Sequence, residues 1–131
     1  MAAVIGLIKE NMSPYAPPES EYDRIWQDYT GQTAMHGVVA TIDGQVVGYG
    51  SVLIETKIRG GRVAHMEDIC TDDQVRKQGI GSRIMSRLME IAQQNGCYKA
   101  SLTCQPHNTH FYFLSGFSED GLSMGQAVIR P

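Results

Sequence analysis

The chain has 131 residues, of which 42% are hydrophobic and 19% charged, and its formal net charge is -3 at pH 7. These values predict a single domain over residues 1–131 and argue against nucleic acid or an anionic membrane as a partner. The sequence contains no run of about 18 apolar residues, so no membrane span is predicted. The three cysteines include no C-x-x-C pair, which predicts reduced thiols in the cytoplasm or an intracellular organelle.

The first third of the chain predicts two helices separated by a loop. Apolar residues from Val4 to Ile8 suit a short helix, and the three prolines between Ser13 and Pro18 require a loop. A second helical face then carries four residues at i, i+3, i+4 and i+7, namely Tyr22, Ile25, Trp26 and Tyr29. Gly31 ends that helix, and Trp26 is predicted to lie in the core.

Three strands follow, because the hydrophobic period changes from helical to alternating. Val38–Ile42 and Val46–Ile54 flank Asp43-Gly44, a pair typical of a type I′ hairpin turn. Residues 57–62 form a basic, glycine-containing turn, and Val63–Thr71 is the third predicted strand. The sequence thus predicts an antiparallel meander in the middle of the chain.

A long helix and a fourth strand complete the predicted sheet. Asp72 and Asp73 are predicted caps, and the glycine-bearing stretch 76–82 opens a helix with an apolar face that Asn95-Gly96 ends. Residues 97–104 predict a strand, 110–115 a short helix, and 117–130 one more strand. The strand–helix–strand order predicts one parallel crossover, hence an α/β (α+β) fold with a mixed sheet.

The glycine-bearing stretch is a candidate anion site. Arg76, Gly79 and Gly81 stand at R-x-x-G-x-G, where a strand runs through a loop directly into a helix. Glycines let the backbone approach a ligand, and the free N–H groups of a first helical turn suit a pyrophosphate. Arg76 and Lys77 add local positive charge. The alternative interpretation is a glycine-rich helix start that binds nothing.

The rest of the sequence adds an ordered set of motifs. R-x-x-G-x-G is followed by Asn108 and by Phe111-Tyr112-x-x-x-Gly116-Phe117, a pattern that resembles the GNAT N-acetyltransferase superfamily. His65-Met66-Glu67-Asp68-Ile69, Cys97-Tyr98-Lys99 and Cys104-x-x-x-Asn108-x-x-Phe111-Tyr112 are further similar to the glucosamine-6-phosphate N-acetyltransferase family. This resemblance is strong from about Glu55 to Phe117 and loose before it.

The resemblance implies a sheet with a splayed strand pair, flanking helices and acetyl-CoA as co-substrate. The pantetheine arm of the co-substrate lies in the gap between the splayed strands, and loop amides hold its pyrophosphate. The implied cofactor-binding residues are Ile69, Cys70, Thr71, Arg76, Lys77, Gln78, Gly79, Ile80, Gly81, Ser82 and Asn108. No metal is expected, and the four histidines are interpreted as structural or surface residues.

The resemblance also implies an amino-sugar phosphate as substrate. Tyr112 would protonate the leaving thiolate, and Thr103 stands where the family often has a carboxylate; these two are the candidate catalytic residues. Glu67 and Asp68 would bind sugar hydroxyls or the amine, which requires a bent strand because adjacent strand residues point to opposite faces.

Further substrate-binding candidates are Lys57 and Ile58, with Arg59 or Arg62 nearby for the phosphate, and Thr103. Direct attack needs no covalent intermediate, so no cysteine is assigned as nucleophile. The competing interpretations are a structural hydrogen bond for Glu67 or Asp68, a solvated basic turn, and a core position for Tyr112.

The resemblance also predicts the oligomeric state. The family forms homodimers in which a late strand reaches the neighbouring subunit, so a homodimer with the site near the interface is expected. The family has a strand before its first helix that this sequence lacks, and Arg130 is only a candidate substrate contact because the C-terminal part aligns poorly. Two alternatives stay open: acetylation of another amine, such as a protein N-terminus or a polyamine, and a non-catalytic acyl-CoA-binding module.

Overall fold

The computed structural model describes residues 1–75 and 78–129. Its helices and strands follow the predicted order: α1 (Ala2–Asn11), α2 (Tyr22–Thr30), β1 (Met35–Ile42), β2 (Gln45–Thr56), β3 (Arg62–Thr71), α3 (Ile80–Gln94), β4 (Cys97–Ser101) and α4 (Thr109–Leu114). The four strands form one sheet in the order β1-β2-β3-β4, antiparallel except for the parallel pair β3–β4. The predicted α/β fold with a mixed sheet is confirmed.

The hairpin between β1 and β2 turns at Asp43-Gly44. Both residues have positive φ, 50° and 79°, as a type I′ turn requires. The next pair, β2 with β3, contains a bulge: Tyr49 pairs with Cys70 and Ser51 with Glu67. Two residues of β2 therefore span three of β3, and the extra residue lies beside Asp68, whose φ is 53°. The irregularity of β3 therefore coincides with its two adjacent acidic residues, Glu67 and Asp68.

The strands β3 and β4 separate after a short ladder. Their pairing begins at Arg62 with Cys97 and ends at His65 with Ser101, while β3 continues to Thr71. The splayed strand pair is thus present. The predicted fourth strand was too long, because the residues after Ser101 diverge from β3 and lose their ladder partner.

The main core lies between the sheet and α3. Its side chains come from alternate positions of β2 and β3 and from one face of α3: Val52, Ile54, Ala64, Met66, Ile84, Met85, Leu88, Ile91 and Ala92. Glycine lets α3 approach β2 closely, since a Cβ on Gly48 would lie 2.6 Å from Ile84 Cδ1. On the other face α1 covers Tyr49 and Cys70 with Leu7. Both faces near the β2–β3 bulge are therefore supported by a helix.

Two sequence predictions about packing are wrong. Trp26 is 51% exposed rather than in the core, because α2 contacts the sheet mainly through Tyr29, whose hydroxyl bonds that of Tyr49 at 2.9 Å. No strand forms over residues 117–129, where no neighbouring strand offers a ladder, and Leu122 and Val128 are almost fully exposed.

Residues 1–75 and 78–129 contain no helix long and apolar enough to cross a membrane. The same residues bring no three His, Cys, Asp or Glu side chains together as a metal-binding group.

Candidate active site

The most distinctive feature is the gap between β3 and the chain that follows β4. From Met66 to Thr71, β3 is hydrogen-bonded to β2 on one side and has no β4 partner on the other. The backbone groups along this free edge are unpaired within the sheet, so they are available to an extended polar ligand that lies beside the strand. The predicted cofactor-binding residues Ile69, Cys70 and Thr71 occupy this edge.

The N-terminus of α3 lies at the end of the free edge. Gly79 caps the helix with φ of 75°, and a Cβ there would meet no atom of the described residues within 4 Å. The first helical hydrogen bond joins the N–H of Arg83 to the carbonyl of Gly79 at 3.1 Å. The N–H groups of Ile80, Gly81 and Ser82 therefore precede the helical ladder and suit an anion.

Packing around Gly81 joins three elements of the site. A Cβ on Gly81 would lie 3.1 Å from the ring of Phe111 and 3.8 Å from the methyl of Thr71. The absence of a side chain thus lets α3 contact both α4 and the end of β3. Gln78 is exposed beside the same turn. Arg76 and Lys77, the two predicted cationic contacts, lie outside the described residues, as does Arg130.

Tyr112 is half-buried on α4, next to Phe111, the residue that lies beside Gly81. Its ring packs edge-on against Phe111 and Phe117, with centroids 5.0 and 6.1 Å away. Burial, and then the neighbouring Cys104, raise the pKa of its phenol. The group therefore stays protonated at neutral pH, as a proton donor requires. Asn108 is exposed at the start of α4, one turn before it.

The bulge presents both acidic residues to solvent. Glu67 and Asp68 are exposed although they are adjacent, which the extra residue and the positive φ of Asp68 explain. The buried hydroxyl of Ser51 donates to the carbonyl of Glu67 at 3.2 Å and fixes the backbone here. Burial, with a smaller effect of the Asp68 charge, raises the pKa of the Cys70 thiol to about 11. Cys70 is therefore a poor nucleophile at neutral pH.

Of the remaining predicted contacts, Thr103 follows β4 at the gap, whereas Lys57 and Ile58 lie apart from this group. Thr103 is exposed beyond β4, with its hydroxyl 3.5 Å from that of Ser123. Lys57 and Ile58 lie in the β2–β3 turn, at the opposite end of the hairpin from the glycines. The ladder from the Ser51–Glu67 pair to the Thr56 pair covers five residues, about 17 Å. Within one chain, Lys57 does not lie beside Glu67.

The sequence analysis did not identify a row of polar side chains on the face of the sheet that carries Glu67. His65, assigned as structural or surface, contacts Ser101 on β4 and Glu55 on β2. The available signal was spacing, because His65 and Glu67 stand two apart on one strand and so share a face. The long-range partners are not visible in the sequence, since they depend on strand register.

Comparisons with known proteins agree with this geometry. Residues 3–117 match the model of the acetyltransferase (GNAT) family. Glucosamine 6-phosphate N-acetyltransferase 1 of Oryza sativa subsp. japonica is 37% identical over 127 residues, covering 92% of this chain and 76% of the relative. The glucosamine 6-phosphate N-acetyltransferase of Arabidopsis thaliana is 30% identical over 114 residues, covering 82% and 76%.

A solved structure is similar over most of the chain. The crystal structure of glucosamine-6-phosphate N-acetyltransferase from Arabidopsis thaliana superposes with a TM-score of 0.87 at 26% identity. The match covers 95% of this chain and 88% of that one. The similarity therefore extends over nearly the whole of this chain's fold.

Proposed function

Since this chain belongs to the acetyltransferase (GNAT) family, we propose that it transfers the acetyl group of acetyl-CoA to the 2-amine of D-glucosamine 6-phosphate. The product is N-acetylglucosamine 6-phosphate. The observation that carries this proposal is the free edge of β3, whose last residue, Thr71, lies beside Gly81 in the first turn of α3. The named substrate rests on the relatives and on the motifs that the sequence shares with their family.

The chain's own residues suit acetyl-CoA. The backbone of Ile69, Cys70 and Thr71 supplies an unpaired strand edge for the amides of the pantetheine arm, and Asn108 is a further proposed contact of that arm. Residues 78–82 supply helix N-terminal N–H groups for the pyrophosphate, and the first turn of α3 contains no acidic residue that would repel it. Arg76 and Lys77 complete this set as proposed cationic contacts.

The proposed reaction is direct attack of the substrate amine on the thioester that acetyl-CoA provides. The amine must first be neutral, because an ammonium has no lone pair. Glu67 and Asp68 bind the sugar at the bulge, with Thr103 on the opposite side of the gap. Tyr112 donates its phenolic proton to the leaving sulfur, and its raised pKa keeps the phenol protonated before that step. The binding roles of Lys57 and Ile58 stay predictions.

We propose a homodimer as the working assembly. Residues 121–129 carry apolar side chains that are 86–96% exposed at Leu122, Val128 and Ile129, and a segment with several exposed large apolar residues is typical of a surface that a partner covers. Light scattering on the eluting protein measures the mass directly. Leu122→Asp with Val128→Asp is expected to shift the mass to one chain, whereas Met12→Asp, at a distant exposed site, should not.

Thiol release from acetyl-CoA tests the activity. Glucosamine 6-phosphate, glucosamine, peptides and polyamines are compared as acceptors, and turnover is expected with the phosphosugar alone. Activity only on another amine would refute the sugar assignment, and acetyl-CoA binding without any turnover would favour the non-catalytic module.

Tyr112→Phe tests the proposed proton donor. It should lower kcat by on the order of 10² while the Kd of acetyl-CoA stays the same. Tyr15→Phe is the matched control, because Tyr15 is 77% exposed and distant in sequence from the residues that line the gap.

A further inference from the structure

Four polar side chains form a continuous row across β4, β3 and β2. Ser101 Oγ lies 3.2 Å from His65 Nδ1, and His65 Nε2 lies 2.7 Å from Glu55 Oε1. The same carboxylate oxygen is 3.0 Å from Lys57 Nζ. Each contact joins a different strand or turn, so the row exists only because the register of the sheet aligns these positions.

The charges along the row fix the direction of its hydrogen bonds. The hydrogen bond from His65, and then that from Lys57, lower the pKa of the Glu55 carboxyl. Glu55 is therefore ionised at neutral pH and can only accept, so the neutral imidazole carries its proton on Nε2. Nδ1 is then an acceptor, and the hydroxyl of Ser101 donates to it. A proton that arrives at Ser101 thus has a path to His65.

The row ends at the mouth of the gap between the splayed strands. His65 and Ser101 form the last pair of the β3–β4 ladder, directly before the free edge begins. On β3, Glu67 is two residues further along the same face, about 7 Å away, and on the β4 side Thr103 has the corresponding position. Ser101 therefore lies at the entrance to the place where the amine of the acceptor is proposed to bind.

We infer, on the basis of the proposed function, that Ser101 and His65 remove the proton that the substrate ammonium must lose before it attacks. One ammonium N–H bond breaks and its proton goes to Ser101 Oγ, while the Ser101 hydroxyl proton passes to His65 Nδ1. The amine keeps the electron pair and becomes the nucleophile. The imidazolium that forms is paired with the Glu55 carboxylate, so the added charge is compensated where it arises.

The other charged groups on this face do not provide an equivalent path. Lys57 approaches the Glu55 carboxylate from the β2–β3 turn and carries no acceptor. Lys99, on the β4 side, is paired with Asp120 at 2.9 Å. Glu67 shares the β3 face with His65 and is assigned to the sugar.

The pH dependence of acetyl transfer tests the relay. We compare kcat/KM for glucosamine 6-phosphate between pH 6 and pH 10 in wild type, His65→Gln and Ser101→Ala, with His36→Gln as the matched control. At the acid end both relay variants should lose on the order of 10²-fold, the usual contribution of a positioned base. The loss should disappear at alkaline pH, because the amine then loses its proton without help. His36→Gln should follow wild type throughout.

Each outcome decides between the relay and a structural role. A loss by the same factor at every pH, or no loss, overturns the relay, because a structural contribution does not depend on the protonation of the substrate. His65→Ala with added imidazole provides a second measurement, and recovery at acid pH is expected. If wild type does not acetylate the phosphosugar, the proposed function and the relay both fail. Turnover by wild type with a uniform loss in the variants overturns the relay alone.

Discussion

Asp68 combines an unfavourable backbone conformation with a proposed substrate contact. Its φ of 53° lies in the left-handed region, where glycine is free and other residues pay about 1–2 kcal/mol, somewhat less for Asp. Asp68→Gly removes this strain and deletes the carboxylate at the bulge. Replacement by glycine also increases the conformational entropy of the unfolded chain, which lowers the free energy of unfolding by about 0.5–1 kcal/mol. The net change in the free energy of unfolding is expected to be a gain of about 0.5 kcal/mol.

The effect on activity should have the opposite sign. A hydrogen bond to a charged group contributes about 1.5–3 kcal/mol, so the loss of the Asp68 carboxylate should reduce kcat/KM by about tenfold to a hundredfold. For a chain of this length, a gain of about 0.5 kcal/mol raises the Tm by about 2 °C. Asp68→Gly is therefore predicted to be slightly more stable and clearly less active than wild type.

Asp43 provides the matched control, because it is the other described non-glycine residue with a positive φ, at 50°. It lies in the β1–β2 turn, away from the gap, so Asp43→Gly should show the same small gain in Tm with unchanged kcat/KM. Calorimetry and thiol release measure the two quantities on the same samples. A lower Tm for Asp68→Gly would refute the strain argument, and full activity would refute the contact with substrate.

Three further predictions concern the core, a thiol and an acidic group. Leu88→Ala should reduce the free energy of unfolding by about 3–5 kcal/mol in urea titrations, since Leu88 is fully buried against β2; a loss below 1 kcal/mol would contradict this packing. Cys70, buried and with a pKa of about 11, should be the slowest cysteine to react with a thiol reagent at pH 8, as mass spectrometry of labelled peptides would show; equal rates would be inconsistent with it. The hydrogen bond from His65 lowers the pKa of Glu55 below its ordinary value of 4.5. The stabilisation that this contact gives is therefore complete above pH 4.5 and is lost in acid. Wild type and Glu55→Gln should differ in urea midpoint at pH 7 and converge near pH 2.

Local signals in the sequence predicted most of the fold correctly. Asp43-Gly44 fixed a hairpin because only a few residue types accept positive φ at both turn positions. The apolar period of α3 predicted both its helical state and its buried face, including Ile84 and Leu88. Ordered motifs from His65 to Phe117 then identified the family, which periodicity alone does not do.

The errors concern features that depend on distant partners. The amphipathic face of α2 predicted a buried Trp26, but only Tyr29 reaches the sheet, because the hydroxyl of Tyr49 is its partner there. Apolar residues in 117–129 predicted a strand, yet a strand needs a neighbour and this segment has none in the described chain. Lys57 was predicted to bind the substrate phosphate, and that role stays a prediction; within one chain the antiparallel ladder places it at a different height of the hairpin from Glu67.

The two irregularities of β3 support each other, and both are needed for the site. Separation from β4 after His65 leaves a strand edge inside the sheet unpaired, which by itself favours unwanted pairing with other strands. The bulge beside Asp68 twists this edge and places two acidic side chains next to it. Both features disfavour pairing of the edge with a strand from another chain. The ladder to β2 runs along both sides of the bulge, and α1 and α3 cover opposite faces, so the strand keeps its position without β4. The gap is therefore present in the free protein. It suits an extended polar ligand that lies along β3 and a second, amine-bearing molecule that binds beside it.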